Sequence, residues 1–349
     1  MIELSRAAFI RAPFQVKIET VPVLAIRDDE VLLAIRAVGI CGTDIHLANA
    51  WASEWTRFGH ETTATVIQCG QRVSDLLPGD AVAVQATTTC SVCEACMNGE
   101  PRDCLDWKRS RLSLALADYM VAPRRALWKV TSLTPVEATL IEPLSVALDL
   151  VRVAEVGLGH SVAIVGPGPI GLMSLKLCKL RGAGQAFIVG TDRDRHRLKL
   201  AREMGADTTF DVSSEDPVEA VRRATHGRGV DRVLVTAPVH VMNQALAMAC
   251  WGGIVAFLGF DEEPERAIVP IDLNEFHLRR LQLRASYAAP ATLFPLAEKL
   301  LASRQIDPAK LITHTFGLEA LGEALRLVAD QTDGVVKAVV LPNAELEEG

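Results

Sequence analysis

The chain has 349 residues, 49% of them hydrophobic and 23% charged, with 36 Lys+Arg against 43 Asp+Glu for a formal charge of −7. At roughly 100–200 residues per domain this is enough for two domains with ample cores, and the composition excludes disorder, collagen and a small disulfide scaffold. Mild acidity with no basic block argues against a nucleic-acid surface, and no apolar run reaches the roughly 20 residues of a membrane span; the start, MIELSRAAFIRAPFQ, lacks a signal-peptide core, so a cytoplasmic protein is expected.

The first 145 residues carry short β-like runs, VLLAIRAV (31–38), TTATVIQC (62–69) and DAVAVQA (80–86), separated by turn residues such as Pro78-Gly79-Asp80. They predict a β-rich first domain with few helices. Two polar motifs interrupt it, GICGTDIH (39–46) and GHE (59–61). Catalytic zinc takes three protein ligands and keeps a fourth place open. Cys41, His60 and one carboxylate would supply such a set, and both Glu61 and Glu142 are candidates for the third ligand. Between the motifs, 47–58 contains Trp51 and Trp55, read as stacking against a substrate in preference to covering apolar surface.

Four of the eight cysteines lie in CSVCEACMNGEPRDC (90–104). Cys90, Cys93, Cys96 and Cys104 can wrap one ion as a closed, structural zinc site, the expected use of clustered thiols in a reducing compartment. Cys69, Cys178 and Cys250 stand alone and read as small buried hydrophobes.

The middle of the chain predicts a dinucleotide-binding domain. SVAIV (161–165) reads as a buried parallel strand, followed at once by Gly166-x-Gly168-x-x-Gly171 and a helix over 169–182, with Leu172, Leu175 and Leu180 on its apolar positions. The strand before and the helix after give this fingerprint its meaning: a tight turn at Gly166, room for a pyrophosphate at Gly168, close packing at Gly171, and phosphates at the helix N-terminus opened by Pro169 and Ile170. The next strand, AFIVGTD (186–192), ends on Asp192, placed to accept from ribose hydroxyls and repel a 2′-phosphate, which favours NAD over NADP. Arg193, Arg195 and Arg197 follow; they read either as phosphate partners or as the solvated face of a helix closed by Gly205. Helices opening at Asp216-Pro217 and over 242–250, and strands over 231–237 and 252–260, continue the alternation of a doubly wound parallel sheet. Two helical stretches (293–304, 318–329) and VVKAVVL remain at the end, so a discontinuous first domain over 1–147 and 286–349, around a dinucleotide domain over 148–285, is expected.

With CGTDIH, GHE, the spaced cysteines, EPLSVAL, GPGPIG and VVKAVVL in place, the sequence resembles the zinc-dependent medium-chain dehydrogenases/reductases over essentially its whole length, nearest to the sorbitol, threonine and butanediol dehydrogenase branch. The resemblance implies an α/β protein with a GroES-like β-rich catalytic domain and a Rossmann domain. It implies Cys41, His60 and Glu61 as ligands of a catalytic zinc, with Glu142 as a fourth, switchable ligand or a partner of the bound water. Asp44 would accept from the His60 ring. Hydride would pass between a small secondary alcohol or polyol and NAD, with Thr43 and His46 relaying the proton. One catalytic and one structural zinc per chain and a homo-oligomer, dimer or tetramer, complete the implication; 248–260, near the end of the sheet, reads equally as an interface edge or as buried sheet.

Three departures bear on the substrate. The 47–58 loop is short. RLSLALADYM (111–120) stands where relatives carry a Gly-Gly pair. Ala288 stands where polyol dehydrogenases carry an arginine. An L-threonine dehydrogenase is the runner-up and would need a carboxylate-binding cation, for which Arg57 is the candidate. A non-catalytic NAD(H)-binding sensor is the reading from another class, disfavoured by the retained ligand residues.

Overall fold

The computed structural model describes residues 2–85, 88–104, 116–287 and 291–343. The stretch at 111–115 and Ala288 lie outside these. The chain forms two compact units, Met1–Ser145 with Ala289–Gly349, and Val146–Ala288. No helix among the described residues is long and apolar enough to cross a membrane.

The first unit is built on a seven-stranded sheet ordered Ile312–Gly317, Lys337–Leu341, Glu30–Gly39, Glu61–Cys69, Ala81–Val84, Leu127–Lys129, with Tyr119–Pro123 also paired to Glu30–Gly39. Glu30–Gly39 is its spine. Nine of its ten residues are buried, which suits a strand with partners on both sides. Its last residue stands opposite the first of the next strand, Gly39 against Glu61, while Val339 pairs with Gly39 from the other side. Ile10, Leu33, Ile35, Val38, Phe58, Leu76 and Leu116 fill the core at 2% exposure or less, each contributing about 1.5–3 kcal/mol of burial. A separate antiparallel pair, Leu4–Arg11 with Gln15–Pro22, was not anticipated from the sequence.

The second unit is a six-stranded, wholly parallel sheet ordered Thr208–Asp211, Gln185–Gly190, Ser161–Val165, Val230–Val235, Ala249–Phe257, Gln282–Ala285. The order reverses direction at Ser161–Val165, so the crevice beyond this strand is the topological switch point of a doubly wound sheet. Asp216 caps the helix Pro217–Ala224 through the amides of Val218 and Glu219.

Three local expectations are corrected. Leu180, in the helix Pro169–Leu180, is 44% exposed, whereas Leu172 and Leu175 are fully buried; the last turn has rotated it off the packed face. The expected helix over 242–250 stops at Met248, because Ala249 and Cys250 join the strand Ala249–Phe257. That strand is paired on both sides, which leaves the buried-sheet reading of 248–260 in place of the edge reading; the sheet's edge strands are Thr208–Asp211 and Gln282–Ala285.

Candidate metal centre and nucleotide turn

The antiparallel pair of Glu30–Gly39 and Glu61–Cys69 brings together residues nineteen or more positions apart. Cys41 leaves the first strand as N-cap of the short helix Gly42–His46, and His60 enters the second. The ligand atoms of Cys41, His60 and Glu61 lie within 4.8 Å of one another. Asp44 is buried, and its Oδ2 accepts from the Cys41 amide at 2.9 Å. Its Oδ1 lies 3.7 Å from His60 Nδ1 and has no hydrogen-bond partner among the described residues. This corrects the expected Asp44–His60 hydrogen bond: the distance is an ion-pair contact, beyond hydrogen-bonding range.

The electrostatics of the cluster follow from burial and close charges. Burial alone would depress the pKa of His60, but Cys41, Asp44 and Glu142 raise it well above the usual histidine value. Burial raises Asp44, against the pull of His60. Glu142, in the first turn of the helix Ile141–Val153, is pushed up to about 7 by desolvation, with Glu61 adding and His60 and Lys337 opposing. A thiol, an imidazole and carboxyls crowded into low dielectric, with the His60, Asp44 and Glu142 pKa values raised, form a site suited to a cation. Sulfur, nitrogen and oxygen donors in a set of three fit zinc with one open position.

Thr43 and His46 lie one turn apart on the same helix. The Thr43 hydroxyl is buried with no hydrogen-bond partner among the described residues, so it is not consumed by a backbone turn there. The His46 ring packs on Trp51 with centroids 4.9 Å apart. Trp55 is different: Lys17 Nζ lies 4.6 Å and the Arg11 guanidinium 4.8 Å from its ring. These cations take up the ring that the sequence reading offered to a substrate, so the substrate-stacking expectation fails there. Arg57, three residues before His60, has a buried Nε without a hydrogen-bond partner among the described residues, and burial lowers its pKa.

The sulfurs of Cys90, Cys93, Cys96 and Cys104 also lie within 4.8 Å of one another. The Cys93 amide donates to Cys90 Sγ and the Cys90 amide to Cys104 Sγ, both at 3.3 Å. Burial, followed by its bond with Cys93, pushes the Cys96 thiol up to about 11. Four such sulfurs fit a closed tetrahedral ion site, since a bound cation reverses that shift and deprotonates the thiols outright.

In the second unit each glycine of the fingerprint has its own reason. Gly166 sits at φ +104°, and a β-carbon at Gly171 would lie 2.0 Å from the Gly166 carbonyl. A β-carbon at Gly168 would meet nothing within 4 Å. The turn is closed underneath and open where a pyrophosphate would approach, at the N-terminus of the helix begun by Pro169 and Ile170. Asp192 and Arg193 are exposed just past the strand Gln185–Gly190. Arg197 is buried, 3.6 Å from Asp194, which also accepts from the amide and hydroxyl of Thr191. Arg197 therefore belongs to the inner face of the helix Arg195–Glu203, and neither the solvated-face nor the phosphate reading describes its placement.

The family model for the alcohol dehydrogenase GroES-like domain matches residues 27–132, and that for zinc-binding dehydrogenases matches 169–303. The sorbitol dehydrogenase of Bacillus subtilis (strain 168) is 31% identical over 97% of each chain. The L-threonine 3-dehydrogenase of the same organism is 32% identical over 92% of this chain and 94% of its own. The chain belongs to the zinc-binding alcohol dehydrogenase family. A solved structure from Sinorhizobium meliloti 1021, assigned as a zinc-binding dehydrogenase and bound to NADP, superimposes on this family member with a TM-score of 0.84 at 27% identity, covering 97% of this chain and 99% of that one.

One residue beside the candidate metal ligands escaped the sequence reading. Lys337 is buried, and its Nζ donates to the Glu61 carboxylate and, at 2.8 Å, to the Ile40 carbonyl. Burial opposes its charge, but Glu61 and Cys41 hold its pKa above the ordinary lysine value. The available signal was a lone lysine inside the apolar run VVKAVVL.

Proposed function

We propose that this family member is a zinc- and NAD-dependent dehydrogenase that oxidises a small secondary alcohol or polyol to the ketone. The carrying observation is the convergence of Cys41, His60 and Glu61 donors within 4.8 Å in a chain that also carries an open Gly168 turn. When bound, zinc supplies the Lewis acidity that makes an alcohol proton easy to remove, and NAD accepts the hydride.

In this reading Cys41, His60 and Glu61 hold the metal. Glu142, kept near neutrality at the same centre, is the exchangeable fourth donor. The Thr43 hydroxyl, without a hydrogen-bond partner among the described residues, would accept the proton of the substrate hydroxyl while handing its own on toward His46, which would release it to solvent. The four cysteines hold a second, structural zinc. Gly166, Gly168 and Gly171 shape the turn whose amides face the pyrophosphate, with Pro169 and Ile170 starting the helix behind it. Asp192 accepts from the adenosine ribose and repels a 2′-phosphate. That supports NAD even though one relative's structure holds NADP; Arg193 would be the residue to reverse the preference. The working form is a cytoplasmic homo-oligomer of two or four chains.

A second reading shares this chemistry. The Arg57 guanidinium, whose buried Nε has no hydrogen-bond partner among the described residues, favours a substrate with an acid group, as L-threonine has, in keeping with the threonine dehydrogenase relative.

The test is NADH formation by zinc-loaded protein across polyols, vicinal diols, simple secondary alcohols and L-threonine, with metal analysis alongside. Turnover of one alcohol group and about two zinc per chain, falling to about one in Cys41→Ser, are expected. Turnover of L-threonine alone, abolished in Arg57→Leu, selects the second reading. Full activity in Cys41→Ser sinks the metal assignment.

A further inference from the structure

Lys337 opens the strand Lys337–Leu341, whose next three residues, Ala338, Val339 and Val340, are all fully buried. An aliphatic side chain would satisfy this place in the core. Buried ion pairs are commonly replaced by apolar residues without loss of stability, so packing does not explain a lysine here. Its partner does. The lysine and glutamate side chains are 4% and 1% exposed, and the ammonium reaches both carboxylate oxygens of Glu61. The strand register enforces the meeting. Val339 pairs with Gly39 and Gly39 with Glu61, and the missing β-carbon at Gly39 leaves the space that the Glu61 carboxylate occupies. The Ile40 carbonyl, one residue before Cys41, takes another Lys337 proton.

Glu61 is thus bound on one side by a fixed cation and on the other faces the Cys41 and His60 donors. From this geometry we infer that Lys337 is a positioning residue of the metal centre: it shares the Glu61 carboxylate with the zinc, draws off part of its negative charge, and leaves the metal more weakly held and more electrophilic. The inference rests on the proposed catalytic zinc. An outer partner that accepts a hydrogen bond from a ligand strengthens the ligand's donation. A buried cation does the opposite: it withdraws charge from the ligand and repels the metal through a low dielectric.

The test uses Lys337→Met, which keeps length and volume without charge, with Lys337→Arg as the conservative variant and Cys41→Ser as the control. In Lys337→Met the catalytic zinc should resist a chromogenic chelator about tenfold more strongly than in the parent, and kcat should fall about 10–100-fold, the usual reach of a residue acting through a metal ligand. The visible absorption bands of the cobalt-substituted enzyme should shift, while KM for NAD stays put. Lys337→Arg should restore all of these. A folded Lys337→Met with zinc held equally or more weakly, and an unshifted cobalt spectrum, overturns the inference. If Lys337→Met does not fold, Lys337→Gln, which keeps a donor but no charge, is judged by the same criteria. The two ideas fail separately. Identical zinc content in parent and Cys41→Ser removes the metal centre itself; loss of one zinc in Cys41→Ser with parent-like Lys337 variants removes only the lysine's role.

Discussion

Gly39 stands directly opposite Glu61 across an antiparallel strand pair, and a β-carbon at 39 would fall 2.1 Å from Glu61 Oε2 and 3.2 Å from Lys337 Cε. The backbone of Gly39 needs no left-handed conformation, so the glycine serves its neighbour and not its own turn. The nearest obstructing atom is the end of the Glu61 side chain, with the Glu61 β-carbon also at 3.2 Å, so the carboxylate must move first. Gly39→Ala should therefore displace the Glu61 carboxylate and disturb its buried pair with Lys337, lowering stability by about 1–3 kcal/mol with the fold retained. Activity should fall by about 10–100-fold and one zinc should be lost more readily on dialysis. Parent-like activity and zinc retention in Gly39→Ala would show that Glu61 is free to bind elsewhere.

The nucleotide turn offers a matched pair. At Gly171 an added methyl meets the Gly166 carbonyl at 2.0 Å, a backbone atom that cannot step aside. Gly171→Ala should destabilise the second unit by about 2–3 kcal/mol, as overpacking does, measurable by chemical denaturation. At Gly168 the methyl enters open space from an ordinary extended conformation. Gly168→Ala should keep its stability within about 0.5 kcal/mol and instead weaken cofactor binding, about tenfold or more in a fluorescence titration with NADH. Equal effects on folding and binding at both positions would refute this division of roles.

The parallel sheet was legible because strands buried on both faces write themselves as continuous apolar runs: SVAIV, AFIV and IVAF each fall inside an observed strand. The pair Leu4–Arg11 and Gln15–Pro22 was not, since Gln15–Pro22 buries none of its residues fully and shows no alternation. The metal donors were legible as residue types, but the partner of Glu61 lies 276 residues away, a separation no local pattern records. Arg197 misled for a related reason. The helix Arg195–Glu203 has few apolar residues, so its inward face takes an arginine stem beside Asp194 where periodicity would look for a leucine.

Asp192 is exposed directly after the strand Gln185–Gly190, with Ser213 accepting from its amide at 3.2 Å. Among the described residues its carboxylate is engaged by no cation, so its charge is available to a ribose. Asp192→Ala should reduce the kcat/KM preference for NAD over NADP by about tenfold or more, since both a pair of hydrogen bonds and a repulsion of the 2′-phosphate disappear. An unchanged ratio would move the discrimination to another residue, with Arg193→Ala the next variant to compare.

Asp231 supplies the acid-side prediction, away from either cysteine-bearing centre. Burial tends to raise its pKa, but the Arg228 guanidinium at 2.7 Å, the Ser161 amide at 2.8 Å and the Ser161 hydroxyl at 2.7 Å reverse this and hold it at about 2. In the unfolded chain an aspartate titrates near 3.9. The folded state therefore binds its proton later. Its stabilising contribution is complete above about pH 4 to 5 and disappears as pH falls toward 2. The group is partly exposed, so screening reduces the contribution to about 1 kcal/mol. Urea denaturation at about pH 6 should find Asp231→Asn less stable than the parent by about that much, and the gap should narrow steadily as pH is lowered through 3. A gap that stays constant with pH would mean that the ionised carboxylate adds nothing beyond the hydrogen bonds an amide can also accept.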